Sequence, residues 1–414
     1  MPRRKPDVRW LIIADDLAGA ADCAIAFARR GIESEVTWGD GAETSPPVLS
    51  VDANSRGLPA AAAAKRQVTT QAAHWRPGVR LYKKIDSTLR GQPAAELAAQ
   101  LRALAADGGR PPLAVVAPAF PATGRVTLGG RVMINGVPLE ETPLWAREHS
   151  YASASLPEIL ASAGLTVETI PLEAVRAGAD ALHSRMASAE RRGVAAVVCD
   201  CAAEADLAVI AAASLRLDTA VWVGSAGLAH GLAALEHTTG SIQPHRLAHS
   251  GSVLIVVGSL AEVSRLQART LVATGSVQRI VVDPATLCAG PQVPGWQAAR
   301  ESLAQGLEAG RHILLEITAT PHPDLSRGPE LVARLAALVA PSAARIGALV
   351  ATGGETACAL LSGFGIHGIR LVDEVEPGVP LGVTLGALSF PVVTKAGAFG
   401  DADTLRRCLA RLGS

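Results

Sequence analysis

Short apolar runs rich in β-branched residues alternate along the chain with longer segments dominated by alanine and leucine. A continuous apolar run of about four to eight residues is typical of a buried strand, whereas spacings of i, i+4 and i+7 indicate a helix. Leu97, Leu101 and Leu104 show the helical spacing after Pro93. The runs that predict strands are residues 10–14, 36–38, 48–51, 81–85, 113–116, 194–198, 220–223, 253–257, 279–282, 312–316 and 348–351. This alternation predicts an α/β protein with mainly parallel sheets flanked by helices.

The alternation is interrupted at residues 236–250, which are polar, lack periodicity and include Gly240 and Pro244. Such a composition is typical of a linker. The chain has 414 residues, which is enough for two or three domains at about 100–200 residues each. We therefore predict two domains, at residues 1–235 and 251–414, each built on a mainly parallel sheet and joined by the linker 236–250.

The overall charge narrows the range of partners. The 38 Lys and Arg residues balance the 38 Asp and Glu residues, and aromatic residues make up 3% of the chain. Neither an excess of positive charge nor a set of stacking platforms is present, which argues against nucleic acid or membrane partners. The six cysteines form no C-x-x-C pair, and Asp15 and Asp16 interrupt the first apolar run before it could serve as a signal peptide. We expect a cytoplasmic protein.

Polar clusters follow three predicted strands of the N-terminal half. In an open parallel sheet, ligands bind at the carboxyl ends of the strands. Cationic side chains can hold a carboxylate, and Asp, Ser and Thr can hold hydroxyl groups. The pattern therefore predicts a site for a small hydroxylated acid, although helix caps and solvated loops are the alternative for each cluster alone. The candidate residues are Asp15, Asp16, Arg56, Lys84, Asp86, Ser87 and Thr88.

The connection after residues 113–116 is long and contains Arg125 and Arg131. Long ordered connections are commonly lids or binding loops. We expect a binding loop in which either arginine could meet a phosphate, with an ordered crossover or an oligomer contact as the alternative.

Glycine-rich turns follow three predicted strands of the C-terminal half. Such turns allow a close approach of ligand to backbone, and a following helix presents free N–H groups to phosphate. The alternative for each turn is an ordinary loop. No G-x-x-x-x-G-K-[ST] motif occurs, and the G-x-G-x-x-G match at 363–368 has the wrong order of helix and strand. The candidate residues are Ser259, Gly353, Gly354, Glu355, Thr356 and Gly400.

Together these segments resemble the four-carbon acid sugar kinases, a family that includes D-threonate, D-erythronate and 3-oxo-tetronate kinases. The resemblance covers nearly the whole chain, and Ala18 and Ala398 depart from it where the family commonly has Thr and Gly. The motifs that carry it are residues 14–20, 84–91, 117–125, 135–142, 353–356, 376–382 and 395–401. It implies an N-terminal acid-sugar domain, with the acid held by Asp15 or Asp16, Arg56 and residues 84–88. It also implies a C-terminal domain that binds ATP through Ser259, residues 353–356 and Gly400.

We therefore expect an ATP-dependent kinase that phosphorylates the terminal hydroxyl of a four-carbon sugar acid such as D-threonate or D-erythronate. Asp16 or Asp86 would accept the hydroxyl proton, and the sequence does not choose between them. ATP would enter with Mg²⁺, whose ligands the sequence does not identify because ATP and water usually supply most of them. The alternatives are a kinase of another small hydroxy acid (3-oxo-tetronate, a five-carbon acid or a hydroxy-amino acid) and a non-catalytic two-lobed sensor of sugar acids. A homodimer is also expected as an assembly.

Overall fold

The computed structural model describes residues 8–39, 45–106, 111–145, 151–236, 251–258, 261–318 and 327–413. Ser259 and most of the expected linker, residues 237–250, lie outside these ranges.

The strands of the described residues follow most of the expected apolar runs. They are β1 (Trp10–Ala14), β2 (Ser34–Trp38), β3 (Val48–Asp52), β4 (Arg80–Lys84), β5 (Leu113–Ala117), β6 (Arg125–Leu128), β7 (Arg131–Ile134), β8 (Val137–Pro138), β9 (Val167–Ile170), β10 (Ala196–Cys199), β11 (Ala220–Gly224), β12 (Ser252–Val257), β13 (Gln278–Val282), β14 (Ile313–Ile317), β15 (Ile346–Thr352), β16 (Ile366–Glu374), β17 (Pro380–Gly386) and β18 (Pro391–Lys395).

The α-helices lie between these strands, as the alternation predicts. They are α1 (Leu17–Ala28), α2 (Ala60–His74), α3 (Pro93–Leu104), α4 (Leu156–Ala161), α5 (Leu172–Arg176), α6 (Ala179–Arg192), α7 (Glu204–Ser214), α8 (Ala226–Ala233), α9 (Glu262–Ala273), α10 (Pro284–Ala289), α11 (Pro294–Glu308), α12 (Gly328–Val339), α13 (Gly354–Gly363) and α14 (Thr404–Leu412).

The chain divides into two compact units. The first is drawn from Met1–Ser34 and Glu43–Ile242, and the second from Glu35–Ala42 and Gln243–Ser414. In the first unit the strands lie in the order β3-β1-β4-β11-β5-β10-β9, and all of these neighbours are parallel. Burial on both faces explains why all of them except β9 appear in the sequence as continuous apolar runs. The expected α/β class with mainly parallel sheets is confirmed.

The second unit has the strand order β13-β14-β12-β15-β18-β17-β16-β2, and its last four strands pair antiparallel. β2 belongs here because Val36 pairs with Ile369 of β16 and the Trp38 indole donates to Ser362 Oγ at 2.8 Å. The sequence interpretation gave this segment to the first domain. Pairing partners so distant along the chain leave no trace in a local pattern.

The long connection after β5 forms a small antiparallel sheet of β6, β7 and β8. The Asp200 carboxylate accepts hydrogen bonds from Gly129 N and Gly130 N, both at 2.8 Å, and so holds the β6–β7 turn. Cys201 and Thr127 exchange backbone hydrogen bonds of 2.8 Å. The connection is therefore an ordered part of the fold, and its first strand begins at Arg125.

Aromatic packing beneath β1 fixes the core of the first unit. The Trp10 ring lies 5.4 Å from the Phe27 ring and 5.0 Å from the Trp222 ring, measured between centroids. These pairs join β1, α1 and β11, and their burial anchors the strand that leads into Asp15. No helix of the described residues is long and apolar enough to cross a membrane.

Candidate active site

Three neighbouring strands of the first unit bring its polar clusters together. β3, β1 and β4 are adjacent and parallel, with Ala14 opposite Asp52 on one side and Ile13 opposite Lys83 on the other. The carboxyl ends of parallel strands share one edge of the sheet, so the segments that follow must converge. The structure places six of the seven sequence-predicted acid-site residues, all but Ser87, within one network of ion pairs and hydrogen bonds.

Arg56 is the centre of this network. Its Nε and Nη2 donate to the two carboxylate oxygens of Asp15 at 2.8 and 2.9 Å, and its Nη1 donates to Asp16. Nη2 also lies 3.5 Å from Asp86 Oδ1. A guanidinium fork suits such bidentate pairing, which fixes direction as well as charge. Arg56 therefore holds three carboxylates in place, and most of its hydrogen-bonding capacity serves that purpose.

Lys84 supplies a second cation at the same edge. Its ammonium lies 3.8 Å from Asp15 and 3.9 Å from Asp16. These are ion-pair distances, and the ammonium makes no hydrogen bond to a described residue. It occupies the space above Gly19, where an added Cβ would stand 2.1 Å from Nζ. Burial lowers the pKa of Lys84, but Asp15 and Asp16 outweigh it and raise that pKa above its ordinary value. Lys84 is thus a charged, nearly buried donor whose hydrogen-bonding capacity is not used by the described residues.

Asp16 combines two roles. Its side chain caps α1 by accepting from Gly19 N at 2.9 Å, which satisfies one of the free N–H groups of the first turn. Its second oxygen accepts from Arg56. The side chain is 14% exposed, against 3% for Asp15 and 8% for Asp86, so Asp16 is the carboxylate most open to a ligand.

Asp86 is held by many donors. Arg90 donates to its two oxygens at 2.9 Å each, and Thr88 donates through its N at 3.1 Å and through its hydroxyl. Burial raises the pKa of Asp86, but Arg90 and Arg56 outweigh it and hold that pKa well below the ordinary range. Ser87, by contrast, is 7% exposed and takes no part in these contacts to Asp86. Asp86 is a fixed anion, and Thr88 is committed to it.

Two backbone positions beside these groups are strained. Asn54, two residues before Arg56, has φ 48°, and Leu89, next to Arg90, has φ 61°. A left-handed conformation is unfavourable for a buried leucine, and such positions persist only where the surroundings enforce them. The strain marks the two turns that aim Arg56 and Arg90.

Arg125 of β6 reaches the same region. Burial lowers its pKa, and its charge interacts with Asp86 and Arg90. The small sheet pinned by Asp200 thus delivers one of the two arginines that the sequence singled out in this connection. The other, Arg131, forms an ion pair with Glu140.

Asp52 is a candidate site residue that the sequence reasoning missed. It ends β3 opposite Ala14, is 5% exposed, and accepts from Asn54 N at 2.7 Å. Burial, reinforced by Asp16 and Asp15, raises the pKa of Asp52 to about 7. An acid at the end of an apolar run was the available signal, since Asp15 and Asp16 were found in the same way.

Asp52→Asn should stabilise the protein more at pH 8 than at pH 5. The folded pKa of Asp52, about 7, lies above the unfolded value. Between these two pKa values the folded state keeps a proton that the unfolded state has lost. The parent therefore loses stability as pH rises through this window, and Asn removes the loss while keeping an acceptor for Asn54 N. Urea unfolding of both proteins at pH 5 and pH 8 measures the difference. An equal change at both pH values would show that Asp52 is ionised throughout.

In the second unit, the three glycine-rich turns converge by the same topology. β12, β15 and β18 are adjacent and parallel. Gly353 N donates to Lys395 O at 2.8 Å, and a Cβ on Gly258 would stand 2.2 Å from Thr356 Oγ1. Gly353 has φ 94°, which favours glycine, and it immediately precedes α13. The structure therefore joins Gly353, Gly354 and Thr356 to the 395–400 turn, and Glu355 is exposed beside them.

Gly400 lies in a tight corner of that turn. It has φ 83°, and a Cβ there would stand 2.1 Å from Thr404 Oγ1 and 2.8 Å from Glu376 Oε1. The Thr404 hydroxyl donates to Glu376 at 2.6 Å, so residues 376–382 and 395–401 meet here. Ala398 is not among the residues with positive φ, so its methyl group fits the loop where the family commonly has Gly.

The sheet edge that carries these turns also has hydrogen-bond donors that suit an anionic ligand. The Thr352 hydroxyl is buried at the end of β15 with no hydrogen-bond partner among the residues described. It lies next to the N-terminus of α13, whose first N–H groups are free of intrahelical partners. No group of three or more His, Cys, Asp or Glu side chains within the described ranges is arranged to hold a metal ion.

Family models match most of each unit. A family model described as the sugar-binding N-terminal domain matches residues 10–232, and one described as the nucleotide-binding C-terminal domain matches residues 254–405. A solved structure from Salmonella typhimurium aligns with a TM-score of 0.80 at 22% identity, covering 97% of this chain and 99% of the other, which shows the shared fold.

Curated relatives share the full length. A D-threonate kinase from Cupriavidus necator is 46% identical over 96% of both chains, and one from Salmonella typhimurium is 32% identical over 96% of this chain and 97% of the other. A D-erythronate kinase from Heliobacterium modesticaldum is 28% identical over 96% of both. With domain models spanning both units and relatives at this level of identity, the chain belongs to the four-carbon acid sugar kinase family that its motifs resemble.

Proposed function

We propose that this protein transfers a phosphoryl group from ATP to the terminal hydroxyl of a four-carbon sugar acid, with D-threonate as the first candidate. Membership of a kinase family supports the reaction class, and the 46% identity to a D-threonate kinase supports the choice of acid. The observation that carries the proposal is the Lys84 ammonium, which is charged, nearly buried and free to donate at the edge where Asp15 and Asp16 converge. This is a suitable partner for a carboxylate on a polyol.

Within this proposal, Lys84 binds the acid's carboxylate and the surrounding oxygens bind its hydroxyl groups. Arg56 is largely committed to Asp15 and Asp16, so its main role is to fix the carboxylates that face the substrate. The Ser87 hydroxyl is available for a further contact. The Asp15 and Asp16 oxygens can accept from substrate hydroxyls in the directions that Arg56 leaves open.

Asp16 is the better candidate for the base. Asp86 is held as an anion by Arg90, Thr88 and Arg56, and a carboxylate with a strongly lowered pKa takes up a proton poorly. Asp16 is bound by fewer donors and is more exposed. The transition state of phosphoryl transfer is loose, so positioning by these residues carries much of the catalysis.

We assign ATP to the glycine-rich edge of the second unit, with Gly353, Gly354, Glu355, Thr356 and Gly400 around it. Ser259 is part of the same assignment but lies outside the described residues. The bound nucleotide supplies the phosphoryl group, and Mg²⁺ would be held mainly by phosphate oxygens and water. The Thr356 side chain packs against Gly258, so its part is to shape the turn.

Hydrogen exchange tests the nucleotide assignment directly. A non-hydrolysable ATP analogue should slow amide exchange at residues 353–356 and 397–401, because the ligand would bind the free N–H groups of α13 and cover the turn. Gly400→Ala should abolish that protection, since its Cβ collides with Thr404 and Glu376. Gly310→Ala is the matched control: it also has positive φ but has open space around its Cβ. Protection confined to the first unit would overturn the assignment.

A substrate panel tests the reaction. The purified protein with MgATP should release ADP rapidly with D-threonate and more slowly with D-erythronate, 3-oxo-tetronate, a five-carbon acid or a hydroxy-amino acid. If only another acid of the panel caused ADP release, that acid would replace D-threonate as the proposed substrate. Acid binding without any ADP release would favour the non-catalytic sensor.

We also propose that the protein works in the cytoplasm and that it forms a homodimer. The six cysteines form no disulfide in the portion of the chain described, which suits the reducing cytoplasm. A homodimer is the proposed assembly, and sedimentation of the purified protein measures it.

A further inference from the structure

A second, fully buried polar network lies on the other face of the sheet, behind the acid site. β4 places consecutive lysines on opposite faces, as the strand period requires. Lys84 faces Asp15 and Gly19, whereas Lys83 points to α3 and pairs with Glu96, with 2.7 Å between Nζ and Oε2. Lys83 is 0% exposed and Glu96 is 1% exposed.

Glu96 extends the pair to the loop that carries Arg56. Its other oxygen accepts from Ser55 Oγ at 2.7 Å, and the same Ser55 oxygen accepts from Gln67 Nε2 at 2.9 Å. Gln67 Nε2 also lies 3.4 Å from Ala14 O. With both its donor and its acceptor capacity used, the Ser55 hydroxyl is fixed in one orientation.

Each endpoint of this network is the chain neighbour of an acid-site residue: Lys83 precedes Lys84, Ser55 precedes Arg56, and Ala14 precedes Asp15. The amides of Ser55 and Arg56 both donate to Asp15 O, at 3.0 and 3.1 Å. The turn between β3 and Ser55 passes through the strained Asn54, which needs enforcement from its surroundings.

Building on the proposed function, we infer that Glu96 is a positioning residue: through Lys83 and Ser55 it sets the relative placement of Lys84 and Arg56. A buried ion pair is weak evidence for stability, because desolvation offsets most of the attraction. Here both oxygens of one carboxylate join two separate segments of the site. This connectivity gives the pair a use other than stability.

Ser55→Ala is the sharpest test, because it cuts the link to Arg56 and leaves the Lys83–Glu96 pair intact. Glu96→Gln cuts the charge pairing as well. The matched control is Asp206→Asn, which removes another buried carboxylate of the same unit, paired with Arg176 at 2.9 Å and connected to none of these residues. Each variant is measured for its unfolding midpoint, for KM of the sugar acid and of ATP, and for amide exchange without ligand.

We expect Ser55→Ala and Glu96→Gln to raise the KM for the acid by about tenfold, the scale of one lost buried hydrogen bond, with the KM for ATP nearly unchanged. The amides of Ser55 and Arg56 should exchange faster by about the same factor. Asp206→Asn should lower the unfolding midpoint without either effect. Variants that lose stability but keep the acid KM and the exchange rates of the parent would show that the network only supports the fold.

The exchange measurement separates this inference from the proposed function. If the parent phosphorylates none of the acids, the proposed function fails, yet faster exchange at Ser55 and Arg56 in the unliganded variants would still support the positioning role. If the parent is active and these amides are unaffected in both variants, the positioning role is wrong and the proposed function stands.

Discussion

Lys84→Ala should bind the sugar acid about 10- to 150-fold more weakly, because a charge-assisted hydrogen bond contributes roughly 1.5–3 kcal/mol. The affinity for ATP should barely change, since the nucleotide is assigned to the other unit. The fold should survive, because Arg56 still pairs with Asp15 and Asp16 when Lys84 is gone. Isothermal titration with each ligand, together with the unfolding midpoint, measures all three quantities.

Arg56→Ala makes the informative comparison. It should also weaken binding of the acid much more than binding of ATP, but with a marked loss of stability, because three nearly buried carboxylates lose their shared cation. Arg56→Lys keeps the charge but not the fork, so it should recover stability only partly. If Lys84→Ala weakens both ligands equally while the fold stays intact, Lys84 is structural and the carboxylate is bound elsewhere.

The sequence predicted the strands of the first unit well because these strands are buried on both faces. A strand such as β1 (Trp10–Ala14) appears as an uninterrupted apolar run, and its end is marked by Asp15. β9, β16 and β17 were missed, since partly exposed or antiparallel strands mix polar and apolar positions and lack such a run.

The same limit applies to the candidate site. Convergence of Asp15, Arg56 and Lys84 follows from parallel strands sharing an edge, which a sequence can suggest. The different roles of the two cations do not follow from the sequence. Arg56 is largely committed to carboxylates and Lys84 is not, a difference that depends on distances of 2.8 and 3.8 Å to Asp15. The Glu96 network was equally out of reach, because its partners lie 13 and 41 residues away along the chain.

Asp16→Asn should show whether Asp16 accepts the hydroxyl proton or only binds the substrate. Asn is also a good N-cap, so α1 keeps its bond to Gly19 N, and the amide oxygen can still accept from Arg56. What is lost is the ability to take up a proton. General base catalysis contributes about 10²–10⁴-fold, so kcat should fall by this factor while the affinity for the acid changes less.

Asp86→Asn is the matched partner of that experiment. It weakens the pairing of Arg90 with residue 86 and disturbs Arg56, so it should mainly raise the KM for the acid. Single-turnover rates under saturating acid and ATP separate chemistry from binding for both variants. A collapse of kcat in Asp86→Asn alone would assign the base to Asp86. If both variants keep kcat within about threefold of the parent, neither carboxylate is the base, and the loose transition state of phosphoryl transfer needs only the positioning that these residues provide.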